Sequence, residues 1–224
     1  MSVMNGFEIH PHPNTPASAV QSLAGYATSI VSDIMGGRLV GTSGLLPVHR
    51  SIMSACGQAV TVRVRGGDNL MIHKALSTLV PGDVLVIDGD GDVSRALVGE
   101  IMSSVARKRG AVAFVVDGAV RDADSFEHHR FPCWARGVNL RGPYKDGPGS
   151  INVPVVVGGM QVNPGDIMLC DGDGVVAIPA AMAATVAAAA QEKTDTEIAM
   201  LKAIEAGTYT APWVDELLKA KGGI

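Results

Sequence analysis

The fold is decided by the stretch Gly99-Glu100-Ile101-Met102 and by the pair Arg121-Asp122, which follows it after a helix and a strand. Residues 103–110 have a helical composition, with basic residues just before the glycine that ends the segment. Residues 111–116 form a continuous apolar run, which is typical of a buried strand. About eleven helical residues span roughly 16 Å, and about six strand residues span roughly 20 Å. The strand is therefore expected to return the arginine and the aspartate to the start of the helix.

These residues combine three kinds of chemistry at one point. The N–H groups at the start of a helix and the helix dipole favour an anion, and the guanidinium of Arg121 matches carboxylate or enolate oxygens. Asp122 and Glu100 supply the hard oxygen ligands that Mg²⁺ or Mn²⁺ prefers. The alternative is a surface arginine–aspartate pair beside an ordinary helix start, since exposed ion pairs are common. The wider pattern of the chain decides between the two.

Further segments extend this pattern over most of the chain. The most specific motif is an acidic residue, twenty further residues and Arg-Asp, here Glu100, residues 101–120 and Arg121-Asp122. The other segments are Val31-Ser32-Asp33, Gly57-Gln58-Ala59-Val60-Thr61-Val62, Asn69 with His73, Pro81-Gly82-Asp83-Val84-Leu85-Val86, Val116-Asp117-Gly118-Ala119-Val120, Phe131-Pro132, Asn152-Val153-Pro154-Val155 and Asp171-Gly172-Asp173-Gly174-Val175-Val176.

With these segments, the chain from about residue 32 to residue 179 resembles the class II pyruvate aldolases that cleave 4-hydroxy-4-methyl-2-oxoglutarate and 4-carboxy-4-hydroxy-2-oxoadipate. The regulator of ribonuclease activity A shares their fold. The resemblance implies an α/β protein, an α-β-β-α sandwich of the ribonuclease-regulator-like type with a long C-terminal helical arm. The aldolases carry Asp where this chain has Glu100, a departure that keeps the charge and adds one methylene.

The resemblance also implies roles for the motif residues. Arg121, Glu100 and Asp122 are the expected catalytic residues, and Asp122 is the expected ligand of a divalent metal, Mg²⁺ or Mn²⁺. The substrate is expected to bind to Arg121 and to the main chain of Gly99, Glu100, Ile101 and Met102. The implied reaction is metal-dependent carbon–carbon cleavage of a small 2-oxo acid through a pyruvate enolate. Oxaloacetate decarboxylation is the expected side activity, because it passes through the same enolate.

A non-catalytic binding protein is the alternative function, since the ribonuclease regulator has the same fold and a fold does not fix a function. The residue after the motif arginine separates the two groups in the resemblance, because the regulators lack an aspartate there and also lack the long C-terminal arm. The presence of Asp122 and of an arm in this sequence favours the enzyme.

Composition narrows the functional classes further. A chain of 224 residues with 47% hydrophobic content can bury a sizeable core. The net charge of -4 argues against a nucleic-acid partner, and no apolar run approaches the roughly 18 residues that a membrane span needs. Three widely spaced cysteines and the lack of a secretory signal favour a reducing cytoplasm. The absence of Gly-x-Gly-x-x-Gly and phosphate-loop motifs disfavours nucleotide-binding enzymes.

One sequence pattern occurs twice. Residues 81–91 and residues 164–174 both read as a turn, a short apolar strand and an Asp-Gly turn. A calcium loop is the alternative, but such a loop needs Gly at its sixth and Glu at its twelfth position. Loops starting at Asp88 or Asp171 have neither. The repeat is therefore expected to supply two similar strands.

The C-terminal segment is expected to form a separate helical arm. Pro179 and Gly207 are typical start and stop signals for a helix over residues 180–206. We divide the chain into a catalytic α/β domain at 1–179 and an arm at 180–224. The arm's apolar stripe either packs on its own domain or reaches a neighbouring subunit. In the aldolases a C-terminal glutamate of the adjacent protomer approaches the site, and Glu197 is the best match, with Glu192 as the other candidate. The resemblance implies a homo-oligomer, a trimer or a dimer of trimers.

The remaining expectations concern local structure. Residues 17–35 and 68–79 are expected to be helices, residues 59–64 and 153–157 strands, and residues 137–149 a loop. The helix over 68–79 is expected to bury Leu70, His73, Ala75 and Leu76 on one face. His128 and His129 are expected to be extended, with side chains on opposite sides. Asn69 is a candidate for a contact with the site, and Asp124 for a hydrogen bond to metal-bound water.

Overall fold

The structure is a computed structural model that describes residues 6–36, 40–41 and 44–223. Its helices are α1 Ala17–Leu23, α2 Thr28–Ile34, α3 Leu70–Leu76, α4 Glu100–Lys108, α5 Ala123–His128, α6 Ala183–Glu205 and α7 Pro212–Ala220. Its strands are β1 Phe7–Ile9, β2 Val40–Gly41, β3 Leu46–Pro47, β4 Ala55–Val64, β5 Asp83–Asp88, β6 Ala96–Val98, β7 Ala113–Val120, β8 Cys133–Val138, β9 Gly149–Ile151, β10 Val155–Val157, β11 Met160–Val162, β12 Ile167–Cys170 and β13 Val175–Ile178. A short 3₁₀ turn, Ala180–Met182, precedes α6.

The strands form a mixed sheet around a parallel centre. Within the described residues its order is β2-β13-β12-β4-β5-β7-β8-β3, with β1, β6 and β9 attached at the side, and β10 and β11 form a separate hairpin. Strands β4, β5, β7 and β8 run parallel, whereas β12 pairs antiparallel with β4 and β13 pairs antiparallel with β12. Helices connect the parallel strands, as such crossovers require.

The core shows how the layers stack. One face of the parallel strands packs on the side of α3, α4 and α5, with Leu85 and Phe114 fully buried between them. The opposite face packs on the hairpin and on one side of β12 and β13. The other side of β12 and β13 carries Ile167 and Ile178 and packs against α1, α2 and α6. The layers thus stack in the order helices, strands, strands, helices. The predicted mixed α/β fold is confirmed.

The predicted helical region over residues 17–35 consists of two helices in the structure. Helix α1 ends at Leu23, and Gly25 adopts a φ of +95°, a left-handed conformation that ends a helix. Helix α2 then begins at Thr28, whose N–H and hydroxyl both donate to the carboxylate of Asp171. The sequence indicates the end of α1 through Gly25, but it does not indicate that the distant Asp171 would cap α2.

Helix α3 is shorter than predicted, and its buried face is different. It spans Leu70–Leu76 rather than 68–79, because the carboxylate of Asp68 accepts the N–H of Leu70 at 3.0 Å and holds the preceding residues outside the helix. The buried residues are Met71, Ile72, Ala75 and Leu76. The expectation that His73 packs in the core is wrong, since His73 lies on the outer side of the helix and is only partly covered.

The two copies of the repeated pattern supply β5 and β12, as expected, and both lie in the main sheet. Residues 139–148, between β8 and β9, have no regular strand or helix, which agrees with the predicted loop over 137–149 except at its ends. The predicted strand over 153–157 is narrower, at Val155–Val157. The predicted strand over 59–64 is longer, at Ala55–Val64.

The C-terminal helix packs on the chain with its first half only. Ala183, Val186 and Ala190 are buried, and Lys193 forms an ion pair with Asp33 of α2 at 2.7 Å. Beyond that point the apolar side chains face outward, with Ile198, Leu201 and Ile204 exposed by 45%, 61% and 52%. The stripe therefore does not pack on its own domain. Among the described residues no helix combines the length and the apolar content that crossing a membrane demands.

Candidate functional site

The end of β7 and the start of α4 meet as the sequence predicted. Strand β6 pairs with β7, and the N–H of Arg121 donates to the carbonyl of Val98 at 3.0 Å. This places Arg121 and Asp122 directly beside Gly99, the residue that precedes α4. The N–H of Glu100 donates to Oδ2 of Asp122 at 3.0 Å. The predicted juxtaposition is thus held by hydrogen bonds at two points.

Asp122 is fixed by its own backbone as well. It adopts a left-handed conformation, φ 54° and ψ 43°, immediately before α5, and its carbonyl accepts the N–H of Ser125 at 2.9 Å. Aspartate tolerates this conformation better than most residues, yet such positions are uncommon and concentrate at functional sites. The turn directs the Asp122 carboxylate back towards the helix start, where the nearest charged group is the guanidinium of Arg121, with Nε 3.6 Å from Oδ2.

Gly99 leaves the space that this carboxylate occupies. A Cβ atom at position 99 would lie 2.5 Å from Oδ2 of Asp122 and 2.9 Å from Cγ of Arg121. Its φ of -159° is accessible to any residue, so the requirement for glycine is steric rather than conformational. The N–H groups of Ile101 and Met102 have no hydrogen-bond partner in the described part of the chain, as expected for the first turn of a helix.

A cleft of about 260 Å³ opens over this helix start. Its size suits a small organic acid rather than a nucleotide or a drug-sized ligand. Its lining combines the predicted residues with a second wall from α3 and from the loop between β8 and β9. The lining residues are Asn69, His73, Ala96, Leu97, Val98, Gly99, Ile101, Met102, Arg121, Asp122, Pro143 and Lys145.

The second wall contains polar groups that sequence patterns indicate only in part. The amide nitrogen of Asn69 donates to the carbonyl of Leu97 at 3.0 Å, which fixes the amide's orientation. Its oxygen, Oδ1, is buried and has no partner in the described residues. A buried acceptor without a donor is costly. Asn69 is therefore prepared to accept a hydrogen bond from a ligand in the cleft.

His73 and Lys145 give this wall its charge properties. Partial burial lowers the pKa of His73 from its ordinary value of about 6.5, and the neighbouring Lys145 ammonium lowers it further. His73 is therefore neutral at pH 7, and its ring nitrogens have no partner among the described residues. Arg121 and Lys145 are the permanent cations of the cleft. Lys145 lay in the predicted loop, and no local signal marked it as a site residue.

Glu100 reaches the site with its backbone but turns its side chain outward. Its carboxylate lies 3.1 Å from Nε2 of His129 and lines a separate surface groove along α4, beside the exposed Ile101 and Val105. The expectation that His128 and His129 are extended is wrong, because α5 runs to His128 and brings His129 against Glu100. Asp124 is exposed in the first turn of the same helix.

The structure does not bring Glu197 to the cleft of its own chain. Its nearest charged partner is Lys193, 4.0 Å away on the same helix, and Lys193 is in turn bound to Asp33. Glu192 is likewise exposed on α6. A contribution of either glutamate to the site would have to come from another copy of the chain.

The donor set suits a hard divalent cation held by few protein ligands. No group of three or more His, Cys, Asp or Glu side chains is placed to hold a metal ion in the part of the chain that the structure describes. Asp122 offers one carboxylate, of which Oδ2 is bound to Glu100 and Oδ1 has no partner among the described residues. Mg²⁺ is commonly bound through one or two carboxylates, with waters and substrate oxygens completing its octahedron. The cleft fits that type of site.

Comparisons with known proteins identify the family of this chain. The profile of the RraA-like family, described as Aldolase/RraA, matches residues 28–177. The chain belongs to the RraA-like family. A relative from Halalkalibacterium halodurans, named "Putative 4-hydroxy-4-methyl-2-oxoglutarate aldolase", is 38% identical over 177 residues, which cover 79% of this chain and 84% of the relative.

Solved structures with the same fold include the following two proteins. An uncharacterized protein from Pseudomonas syringae superposes with a TM-score of 0.80 at 26% identity, covering 89% of this chain and 94% of that protein. The RNA-processing inhibitor RraA from Thermus thermophilis gives a TM-score of 0.62 at 29% identity, with 68% of this chain and 92% of the inhibitor covered. The family therefore includes both a relative named as an aldolase and an inhibitor of RNA processing.

Proposed function

We propose that this protein is a divalent-metal-dependent lyase that cleaves 4-hydroxy-4-methyl-2-oxoglutarate or 4-carboxy-4-hydroxy-2-oxoadipate through a pyruvate enolate. The observation that carries the proposal is the assembly of unpaired helix N–H groups, Arg121 and Asp122 in one cleft of small-acid size. The name of the Halalkalibacterium halodurans relative supports this choice of substrate.

The cleft can hold both ends of such a substrate. The N–H groups of Ile101 and Met102 and the positive end of α4 bind the carboxylate next to the 2-oxo group. Arg121 places its guanidinium at the oxo oxygen, and Lys145 lies on the other wall for the distal carboxylate. Two permanent cations and a helix end therefore match a 2-oxo acid that carries at least two carboxylates.

Asp122 would hold Mg²⁺ or Mn²⁺, and the bound ion would polarise the 2-oxo group as a Lewis acid. The N–H of Glu100 orients the Asp122 carboxylate for this role, and His129 keeps the Glu100 side chain outside the cleft. Because the ligand atoms come from one carboxylate, occupancy is expected to depend on the concentration of the free ion and to be reversed by a chelator.

Bond cleavage needs a base for the 4-hydroxyl group and a stabiliser for the enolate. His73 is the base that this chain offers, since it is neutral at pH 7 and lies on the cleft wall. As the proton leaves the 4-hydroxyl oxygen, that oxygen forms a carbonyl, the bond between carbons three and four breaks, and its electron pair passes into the enolate. Arg121 stabilises the negative charge on the enolate oxygen. Protonation at carbon three then yields pyruvate.

Oxaloacetate is expected to react at the same site. Loss of its carboxylate as carbon dioxide leaves the same electron pair on the carbon next to the oxo group, and hence the same enolate. No 4-hydroxyl proton is removed in this reaction, so His73 is not required as a base. The two substrates therefore separate the contribution of His73 from that of Arg121.

Self-association belongs to the same proposal. We propose a homo-oligomer, a trimer or a dimer of trimers, in which the outward apolar stripe of α6 packs on a neighbouring copy. The stripe consists of Ile198, Leu201 and Ile204, all of which are about half exposed in the single chain, and large exposed apolar patches commonly mark interfaces. In such an assembly Glu197 of one copy can approach the cleft of the next.

The test is pyruvate release from 4-hydroxy-4-methyl-2-oxoglutarate and from oxaloacetate, with Mg²⁺, with Mn²⁺ and with excess chelator. Metal-dependent release from both, above the rate of metal alone, is the expected result. Release from oxaloacetate only would keep the enolate site and reject the aldol substrate. Release from neither would reject the lyase and favour a binding function like that of the RNA-processing inhibitor.

A further inference from the structure

The loop between β8 and β9 forms one wall of the cleft without being a helix or a strand. Residues 139–148 carry Pro143 and Lys145 into the cleft lining. Lysine has a long flexible stem, so its ammonium group is well placed only where its backbone is fixed. The contacts of this loop therefore decide how well Lys145 can serve the site.

Tyr144, directly before Lys145, is bound to the segment that leads into α3. Its N–H donates to the carbonyl of Gly67 at 2.8 Å, and its carbonyl accepts the N–H of Asn69 at 3.0 Å. These two bonds form an isolated parallel bridge between the loop and Asp68. The two parts of the second wall, the segment that carries Asn69 and the loop that carries Lys145, are thereby joined.

The ring of Tyr144 is held by two arginines. The guanidinium carbon of Arg95 lies 4.1 Å from the ring centre, and that of Arg65 lies 5.6 Å away. Arg95 also donates from Nη1 to the carbonyl of Gly142 at 2.7 Å, so it grips the loop at two points. The ring is 47% exposed, and its contacts are therefore cation–π contacts more than core packing.

Asp68 completes the attachment on the other side of Lys145. Its buried carboxylate accepts the N–H of Asp146 at 2.7 Å and that of Gly147 at 3.0 Å. Burial acts to raise the pKa of Asp68, but the hydrogen bonds and the charge of Arg65 outweigh it and lower the pKa. Asp68 is therefore charged at neutral pH and binds the loop firmly.

We propose that Tyr144 is a positioning residue, whose ring, held by Arg95 and Arg65, fixes Lys145 at the cleft wall where it receives the distal carboxylate of the substrate. This inference rests on the proposed function for its choice of substrate. It assigns to Tyr144 no contact with the reacting atoms, and it assigns the effect to the aromatic ring rather than to the phenolic hydroxyl.

The first test compares Tyr144→Ala with Tyr144→Phe. Alanine removes the cation–π contacts and is expected to raise the KM for the dicarboxylate substrate about fivefold, the size of cation–π contacts at a partly exposed ring, with kcat changed less than KM. Phenylalanine keeps the ring and is expected to behave like the parent protein. Inhibition by oxalate, a planar two-carbon analogue of the enolate that is too short to reach Lys145, is expected to be unchanged in both variants.

A double-mutant cycle tests whether Tyr144 acts through Lys145. The change Lys145→Ala is expected to raise KM in the same way, and adding Tyr144→Ala to it is expected to have little further effect, because the group that the ring positions is already absent. Lys74→Ala, at an exposed lysine of α3 outside the cleft lining, is the matched control and should leave KM unchanged. Additive effects of the two alanines, or an equal defect in Tyr144→Phe, would overturn the proposal.

Hydrogen exchange separates failure of this inference from failure of the proposed function. The N–H groups of Tyr144, Asp146 and Gly147 donate hydrogen bonds to Gly67 and Asp68. Their exchange therefore reports how firmly the loop is attached, without any turnover. Faster exchange over residues 139–148 in Tyr144→Ala, with an unchanged rate in Tyr144→Phe, is expected even if the parent protein releases no pyruvate. Unchanged exchange in Tyr144→Ala would contradict the claim that the Tyr144 ring holds the loop in place.

Discussion

The cleft and the outer half of the C-terminal arm differ in how far contacts within one chain hold their residues in place. Around the cleft, the backbone N–H groups of Arg121 and Glu100 both donate hydrogen bonds within the chain. Along the arm, the apolar side chains beyond Lys193 face outward, among them Leu201 at 61% and Trp213 at 60% exposure. The geometry of the binding groups is therefore a property of the single chain, whereas the apolar side chains on the outer half of the arm stay exposed in it.

This difference teaches which functional claims a single chain can carry. In the proposed reaction, substrate binding and enolate stabilisation depend on the helix start, Arg121 and Asp122, which lie together in one chain. Any role of Glu197 depends on a neighbouring copy, because its contacts here are with Lys193 on its own helix. Variants in the two regions should accordingly change different observables.

The largest expected effect is on the cleft. Arg121→Ala removes the guanidinium that stabilises the enolate oxygen and should lower kcat roughly 10²-fold, the usual cost of losing an oxyanion donor. Arg107→Ala, in the last turn of α4 and outside the cleft lining, is the control. Steady-state pyruvate release measures both. A kcat for Arg121→Ala within a few-fold of the parent would break the account of the cleft.

The next effect tests the space at the helix start. Gly99→Ala places a Cβ 2.5 Å from Oδ2 of Asp122 and should displace this carboxylate from the N–H of Glu100. We expect a loss of activity of about tenfold, as for one charged hydrogen bond, together with a weaker apparent affinity for the metal. Metal titrations of activity measure it, and circular dichroism checks that the fold is retained. An unchanged metal dependence would contradict the steric argument.

The third prediction concerns the arm. Leu201→Glu combined with Ile204→Glu introduces charges into the exposed apolar stripe and should reduce the oligomer towards a single chain of 23.1 kDa, without loss of stability of the domain. Sedimentation measures the mass, and thermal unfolding measures the stability. Lys202→Glu, between the two sites, is the control for added negative charge. An unchanged mass in the double variant would mean that this stripe is not the interface.

The smallest expected effect in the parent protein is the change of its rate with pH. Because the pKa of His73 is lowered from about 6.5, the neutral base persists below that pH, and the rate of aldol cleavage should fall only as His73 becomes protonated on the acid side. His73→Gln should reduce aldol cleavage and remove this acid limb, while oxaloacetate decarboxylation keeps its rate. Profiles of kcat/KM from pH 5 to 8 with both substrates measure it. Equal losses on the two substrates would contradict the assignment of His73 as the base.

The sequence predicted the meeting of α4 and β7 because its signals are local. The glycine that ends the helix, the apolar run of the strand and the two lengths are sufficient to bring Arg121 back to Gly99. The family and the mixed α/β fold were predicted from the resemblance that the wider set of motif segments carries. The division into a domain at 1–179 and an arm at 180–224 remains a prediction.

The second wall of the cleft could not be predicted for a physical reason. Lys145 lies on a loop whose shape is set by Asp68, Gly67 and Arg95, residues 50 or more positions away in the sequence. His73 was assigned to the wrong face because the apolar residues of α3 allow more than one choice of buried stripe, and packing on β4 and β9 buries Met71 and Ile72 instead. The outward turn of Glu100 depends on His129, and no periodicity in the chain indicates that contact.

The central claim is that this cleft generates a pyruvate enolate, and the exchange of pyruvate's methyl protons tests it most directly. In deuterium oxide with Mg²⁺ or Mn²⁺, the parent protein should incorporate deuterium into the methyl group, as followed by proton NMR, and Arg121→Ala should do so at least tenfold more slowly. Excess chelator should abolish the incorporation. No exchange above the metal-only background in the parent, or equal exchange in Arg121→Ala, would contradict the claim.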